Sequence, residues 1–364
     1  MNKVLIGLFI LSGVVIYSCT KTELGNVQGV KYDATAYSLE FTNFTLPAVT
    51  LPADNPLTVE KVKLGRMLFY ETMLSSDESV SCASCHVQSD GFSDRNRFSE
   101  GVGGATGGRQ AMAIFNMAWH SNQFFWDGRV DLLRDQSLGP IENPLEMNET
   151  LENVIKKLYT SQVYKNQFIR AFGDFEITSE RISLAMEAFM LSIISDDSKY
   201  DRYITGNAQL TESEQRGRVL FFTDYNPWFP ENSGADCIHC HSGNNFENDL
   251  YMNNGLDSDL EFIDFGREDA TNLLTDRAKF KTPTLRNIEV TGPYMHDGRF
   301  ETLEEVVDHY NNGIKASSTA DPAILATQST GLMLDEQDKI DLINFLKTLT
   351  DYTYLNNPDY ASPF

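Results

Sequence analysis

Cys82-Ala83-Ser84-Cys85-His86 and Cys237-Ile238-His239-Cys240-His241 are the two stretches that decide how this chain is read. In each, two cysteines stand three positions apart and a histidine follows the second directly. Thiols at that spacing match the edge of a porphyrin and can add to its two vinyl groups. The next residue then falls beneath the ring centre as an imidazole ligand of the iron. C-x-x-C-H is the attachment sequence for c-type haem. One such pentapeptide arises by chance; two in one chain argue for two covalently bound haems. The rival readings are a zinc site, which needs four ligands from separated pairs, and a thiol redox pair, which has no use for His86 and His241 in matching places. His239 reads as a spacer inside the second loop. His120 has no cysteine partner and reads as a surface histidine, or one behind a ligand.

Working outward, the surroundings of the two motifs repeat. Gly65-Arg66-Met67-Leu68-Phe69-Tyr70 precedes the first, and Gly217-Arg218-Val219-Leu220-Phe221-Phe222 precedes the second. Downstream, Trp126-Asp127-Gly128-Arg129 matches His296-Asp297-Gly298-Arg299. Each half closes on an amphipathic helix: Ile182, Ala185, Met186 and Phe189 behind Thr178 and Ser179, then Ile340, Leu342, Ile343, Phe345 and Leu346 behind Asp335. Strand-like alternation is sparse. The chain is therefore expected to be mainly α, as two tandem cytochrome c-type domains with one haem each: residues 46–205 and 206–354, joined across the polar break at 203–211, with a tail at 355–364.

The 364 residues are enough for two medium domains. Lysine and arginine total 29 against 52 acids, a net charge of −23. That repels phosphate backbones and excludes a general nucleic-acid binder; it suits a basic protein partner and also keeps a protein soluble. Lys3 and the short apolar run at 4–16 form a targeting segment. Ile16-Tyr17-Ser18-Cys19 resembles a lipoprotein cleavage box, so residues 1–19 are expected to be a signal peptide and Cys19 a lipidated terminus on a periplasmic, membrane-anchored protein. Residues 20–45 lack periodicity and read as a tether. Of five cysteines, the four besides Cys19 lie in the two motifs.

Residues 46–354 resemble the bacterial di-haem cytochrome c peroxidase family, which includes the MauG-type enzymes. The likeness is carried by the two attachment motifs, Gly107-Gly108-Arg109, Phe125-Trp126-Asp127-Gly128-Arg129, Gln136, Gly139-Pro140, Glu146-Met147, Lys281-Thr282-Pro283-Thr284-Leu285-Arg286-Asn287 and Pro293-Tyr294-Met295-His296-Asp297-Gly298. It implies that the N-terminal haem, on His86, meets hydrogen peroxide, and that the haem on His241 passes electrons to it. Glu146 matches the family's acid–base residue and Gln136, ten positions earlier, its companion amide. A carboxylate in a mostly apolar pocket can take a proton from one peroxide oxygen and return it to the other. Trp126 matches the residue between the haems. Arg109, Arg129, Arg286 and Arg299 are offered as partners of haem propionates. A calcium ion between the domains is implied at Gln110, Thr291 and Pro293, with Gln110 standing where the family usually has asparagine.

Two departures matter. The loop at 96–106 has no histidine to cap the first iron; Val102 stands in the corresponding place. Fourteen positions after His296, where the family carries a methionine ligand of the second iron, this chain has Tyr310, as in the MauG-type branch. Phenolate lowers the potential of ferric iron where methionine raises it. His309 and Met295 are rivals. A capping box at Thr302 and Glu305 starts a helix whose stripe is Leu303, Val306, Val307 and Tyr310, with His309 about 100° away. The expected function is a peroxidase fed by a small cytochrome c or cupredoxin. The alternatives are a MauG-like peroxide-driven oxidase of a partner protein's side chains, and a pure di-haem electron carrier, which would need no acid–base pair.

Overall fold

The computed structural model describes residues 29–364. The expected signal segment, Cys19 and the first part of the tether lie outside the described residues. The protein is mainly helical, with long ordered loops between helices.

The first half builds on α1 (Val59–Phe69), α2 (Leu151–Thr160), α3 (Gln162–Phe172) and α4 (Ser179–Ser192). Thr58 caps α1 by accepting from the amide of Lys61, and Thr178 caps α4 by accepting from Arg181. Leu64, Leu68 and Phe69 of α1 are fully buried, against Ile182, Ala185 and Phe189 of α4. Each such side chain contributes roughly 1.5–3 kcal/mol relative to exposure. The helices cross so closely at Gly65 that a Cβ there would collide with the Ala185 carbonyl.

The second half repeats this device. It contains α5 (Lys199–Ile204), α6 (Glu212–Phe222), α7 (Leu303–Asp308) and α8 (Glu336–Lys347). Thr211 with Glu214, and Asp335 with Asp338, form capping boxes at the starts of α6 and α8. α6 packs on α8, and a Cβ at Gly217 would strike the Asp341 carbonyl. The repeated glycine thus has one physical cause in both halves. Tyr200, Phe221, Phe246 and Phe345 form an aromatic core here, with ring centroids 5.3–5.7 Å apart. A two-residue antiparallel pairing of β1 (Tyr251–Met252) with β2 (Phe280–Lys281) is the sheet of the described residues.

The tether reading and the surface reading of His120 need correction. Residues 31–45 do not hang free as a tether. Asp33 donates its amide to the Arg170 carbonyl (3.0 Å), Tyr37 to Leu57 (3.1 Å), and Thr45 reaches Asp201 through its hydroxyl (2.7 Å). The tail at 355–364 is packed too: Leu355 and Tyr360 are buried, and Arg66 on α1 donates to the carbonyls of Ala361 and Pro358 (2.6 Å each). Both segments lack a period because they cover existing helices rather than form their own. His120 is buried, its side chain only 8% exposed, which removes the surface half of its reading.

Candidate active site

The two attachment loops share one local construction. His86 points Nδ1 at the Phe92 carbonyl (3.0 Å). His241 points Nδ1 at the carbonyls of Phe246 (3.2 Å) and Pro283 (3.1 Å). Phe92 and Phe246 both take left-handed backbone conformations, φ 53° in each case, which turn these carbonyls back on the histidine. A proton held on Nδ1 leaves Nε2 as the free lone pair, the arrangement an iron-ligating imidazole requires. Burial keeps both histidines below their usual range, to about 4 for His241, which favours the neutral ring that an iron ligand needs. The four cysteines are unpaired thiols, and burial pushes Cys82, Cys237 and Cys240 up to about 12. Low-pKa redox dithiols sit in the opposite electrostatic setting. The donor set fits two c-type haems.

The repeated turns also share one local construction. Gly128 (φ 69°) and Gly298 (φ 62°) each close a turn at a conformation glycine adopts without strain. The Phe124 amide donates to the Val130 carbonyl and that of Tyr294 to Phe300, at 2.7 Å in both copies. Trp126 occupies the first turn. Its Nε1 donates to the Gln110 carbonyl (2.8 Å), and its own carbonyl accepts from the Lys281 amide (2.8 Å). The Gln110 amide in turn donates to the His296 carbonyl (2.8 Å). Trp126 is thereby tied to segments of both halves.

Glu146 sits beside the first attachment motif, where its charge acts on the thiols of Cys82 and Cys85. Burial raises its carboxyl above the ordinary value, while a hydrogen bond from Asn143 (2.6 Å) and the charge of Arg129 hold it down. Its backbone carbonyl accepts from the Val102 amide (2.8 Å). A Cβ at Gly101 would collide with the carbonyls of Leu145 and Glu146. The loop that carries Val102 is therefore clamped onto the Glu146 segment. Gln136 ends the short helical turn Leu133–Gln136 and is half-buried.

The family model described as di-haem cytochrome c peroxidase matches residues 59–209. Over 303 residues the chain is 32% identical to the methylamine utilization protein MauG of Methylophilus methylotrophus, covering 83% of this chain and 86% of that one. It is 33% identical to the cytochrome c551 peroxidase of Nitrosomonas europaea, covering 87% of this chain and 86% of the relative. The chain belongs to the di-haem cytochrome c peroxidase family. A solved MauG-like protein associated with microbial copper homeostasis superposes with a TM-score of 0.81 at 33% identity, over 90% of this chain and 99% of that one. Membership in the di-haem peroxidase family makes the protein an oxidoreductase with two c-type haems.

The three rivals for the second iron of this di-haem peroxidase all meet at one residue. Asn254 directs its Nδ2 to the Tyr310 hydroxyl (3.4 Å) and to the Met295 sulfur (3.3 Å), while its carbonyl faces His309 Nε2 (3.3 Å). The capping box of Thr302 and Glu305 starts α7, but the helix then widens into a π turn at His309–Gly313. The regular 100° step fails there, and His309 is buried rather than turned off the stripe. Its Nε2 is engaged with a backbone carbonyl, whereas the Tyr310 phenol lies in the field of Cys240 and Cys237. Burial pushes that phenol up to about 12.

The four arginines that the resemblance offers to haem propionates also pair with carboxylates of the chain. Arg109 grips Asp264 with two bonds (2.7 and 2.8 Å) and Asp127 with a third (2.6 Å). Arg129 pairs with Asp127 and covers the Phe125 ring at 3.6 Å. Arg286 is buried on Asp201, and Arg299 pairs with Asp257 and Asp297. Gln110 gives its Nε2 to Ser93 Oγ (3.0 Å) and the Asp94 carbonyl (2.9 Å). Asn143 and Asn254 are the residues sequence reasoning passed over, because an asparagine in a loop carries no signal until its neighbours are known.

Proposed function

We propose that this chain reduces hydrogen peroxide at the haem carried by Cys82, Cys85 and His86, using electrons that enter through the haem at Cys237, Cys240 and His241. The observation that carries this reading is Glu146, an acid beside the first attachment motif, raised by burial and held by Asn143. The bound haem supplies the iron that accepts peroxide and the electrons that cleave it. With the haem in place, Glu146 would take a proton from one peroxide oxygen and return it to the other, which would leave as water. Gln136 orients peroxide and water from the neighbouring helical turn. Trp126, tied to both halves, serves as the conduit between the haems. The tandem domains at 46–205 and 206–354 each carry one haem, and Arg109 steadies the ground between them through Asp264 and Asp127. The donor is a small redox protein, a cytochrome c or cupredoxin. The protein works in the periplasm, anchored through a lipid on Cys19. A calcium ion held by Gln110, Thr291 and Pro293 belongs to the same proposal.

Val102 and Tyr310 favour a second reading: a peroxide-driven oxidase of a partner protein's side chains, as the relatives named MauG suggest. Optical titration of the oxidised holoprotein with peroxide, with cytochrome c, cupredoxin or neither present, separates the two. Rapid donor oxidation supports the peroxidase. A peroxide-generated spectrum that persists with every small donor supports the oxidase.

A further inference from the structure

Among the buried side-chain atoms that find no hydrogen-bond partner, two face each other: His120 Nδ1 and Glu247 Oε2. They are 3.4 Å apart, on side chains 8% and 4% exposed. His120 comes from the first half, behind the turn Met117–Trp119. Glu247 comes from the second, directly behind Phe246, whose carbonyl holds His241. The remaining Glu247 oxygen, Oε1, accepts from Asn245 (2.7 Å). The charged groups facing the pair are Asp249, 3.9 Å from His120 Nδ1, and Lys281, which is ion-paired to Asp249. Lys281 also donates to the carbonyls of Asn122 (2.9 Å) and Gln123 (3.2 Å). Asp249 and Lys281 cancel each other, so the charge of the cluster is set by His120 and Glu247.

With the imidazole proton on Nε2, Nδ1 and the carboxylate oxygen are two acceptors facing each other in a dry site and repel, and a buried carboxylate is unfavourable by several kcal/mol. One proton between them removes both problems and leaves the pair neutral. We propose that His120 and Glu247 form a proton-holding site: one shared proton in the oxidised protein, and a second taken from water when an electron enters the haem at His241. This rests on that haem being present, as proposed above. The electron comes from the reductant and adds one negative charge at the haem. The proton completes an N–H bond on His120 beside the O–H bond already on Glu247, adding one positive charge. Burial raises Glu247, to about 8, so it keeps the first proton near neutrality. Burial and the charge of Lys281 hold His120 down, against Asp249. The second proton therefore waits for the negative charge that the electron brings. The path is short: Phe246, next to Glu247, and Pro283, two residues beyond Lys281, both hold His241.

The test is a redox titration of the two-haem holoprotein at a series of pH values, each haem followed optically, with infrared difference spectra of the same transition. The reduction equilibrium of the C-terminal haem should become about tenfold more favourable for each unit the pH falls, one proton per electron. The infrared difference should show a buried carboxylic acid perturbed on reduction. His120→Gln should flatten the pH slope and keep the band; Glu247→Gln, which carries the uncharged shape of the protonated acid, should abolish the band and leave the slope. A pH-independent wild type, a His120→Gln protein with the wild-type slope, or a Glu247→Gln protein that keeps the carboxylic-acid band, overturns the proposal. If Glu247→Gln fails to fold, a wild-type slope in His120→Gln overturns it alone. A mass showing haem only on the first motif sinks both this inference and the two-haem reading, whereas a two-haem protein without the pH slope sinks this inference only.

Discussion

Asn143 donates its Nδ2 to Glu146 Oε1 at 2.6 Å while its own Oδ1 accepts from the Leu145 amide at 3.0 Å. One side chain thus folds the turn and aims the carboxylate. Asn143→Asp keeps the turn acceptor and replaces the donor with a second acid. Burial already raises Glu146, and losing the donor while gaining a like charge raises it further. The base form then appears only at higher pH. The acid limb of the peroxide rate profile should move upward in pH, with the alkaline plateau little changed. A profile identical to wild type would show that Asn143 does not set the state of Glu146.

Removing the acid itself is the stronger perturbation. Glu146→Gln should retain both haems and slow peroxide cleavage by about a hundredfold or more, the worth of a positioned acid–base group. Stopped-flow mixing with peroxide measures this. An unchanged rate would return Glu146 to a structural role.

By the family resemblance Val102 takes the place of a capping histidine, and its loop is clamped to Glu146 through the Val102 amide and the close approach of Gly101. The oxidised protein should therefore react with peroxide without a preceding reduction. Activity that appears only after half-reduction would mean that another side chain closes the first site.

Tyr310→Phe should change the low-spin spectrum of the C-terminal haem and raise its potential, since a phenolate ligand lowers it. His309→Ala should leave the ligand field nearly intact, because His309 Nε2 is engaged with the Asn254 carbonyl. Loss of the low-spin signal in the His309 variant alone would reverse this assignment.

Arg286 and Asp201 form a buried bidentate pair, 2.8 Å for each bond, at 1% and 0% exposure. Burial alone would raise Asp201, but Arg286, Ser198 and Thr45 together hold its carboxyl below 3.8. A folded value below the unfolded one means full stabilisation above about pH 4, lost as the pH falls through the folded value. Asp201→Asn should lower stability by about 3–5 kcal/mol at neutral pH and shrink the acid-dependent part of the unfolding curve. Denaturant titrations at several pH values check both.

Much of this was legible in the sequence because it rests on local rules. The attachment motifs fix thiol and imidazole spacing, the caps at Thr178 and Asp335 mark helix starts, and the repeat that contains Gly65 and Gly217 marks the two copies of one domain. What escaped depends on contacts between distant segments. The stretch 31–45 and the tail 355–364 have no period, since each takes its shape from the helices it covers. The π turn after Asp308 leaves no compositional trace, so the angular argument that set His309 apart failed. That Arg109 also grips Asp264 could not be read because the two lie 155 positions apart. His120 looked like a surface residue because Glu247, which faces it, belongs to the other half.

The measurement closest to the central claim is rapid mixing of the fully oxidised two-haem protein with one equivalent of peroxide, wild type beside Glu146→Gln, followed by addition of reduced cytochrome c. The account predicts an immediate spectral change in the wild type, one about a hundredfold slower in the variant, and return to the starting spectrum as the cytochrome is oxidised. A wild-type protein that leaves peroxide unconsumed, or a variant that matches it in rate, would contradict the account.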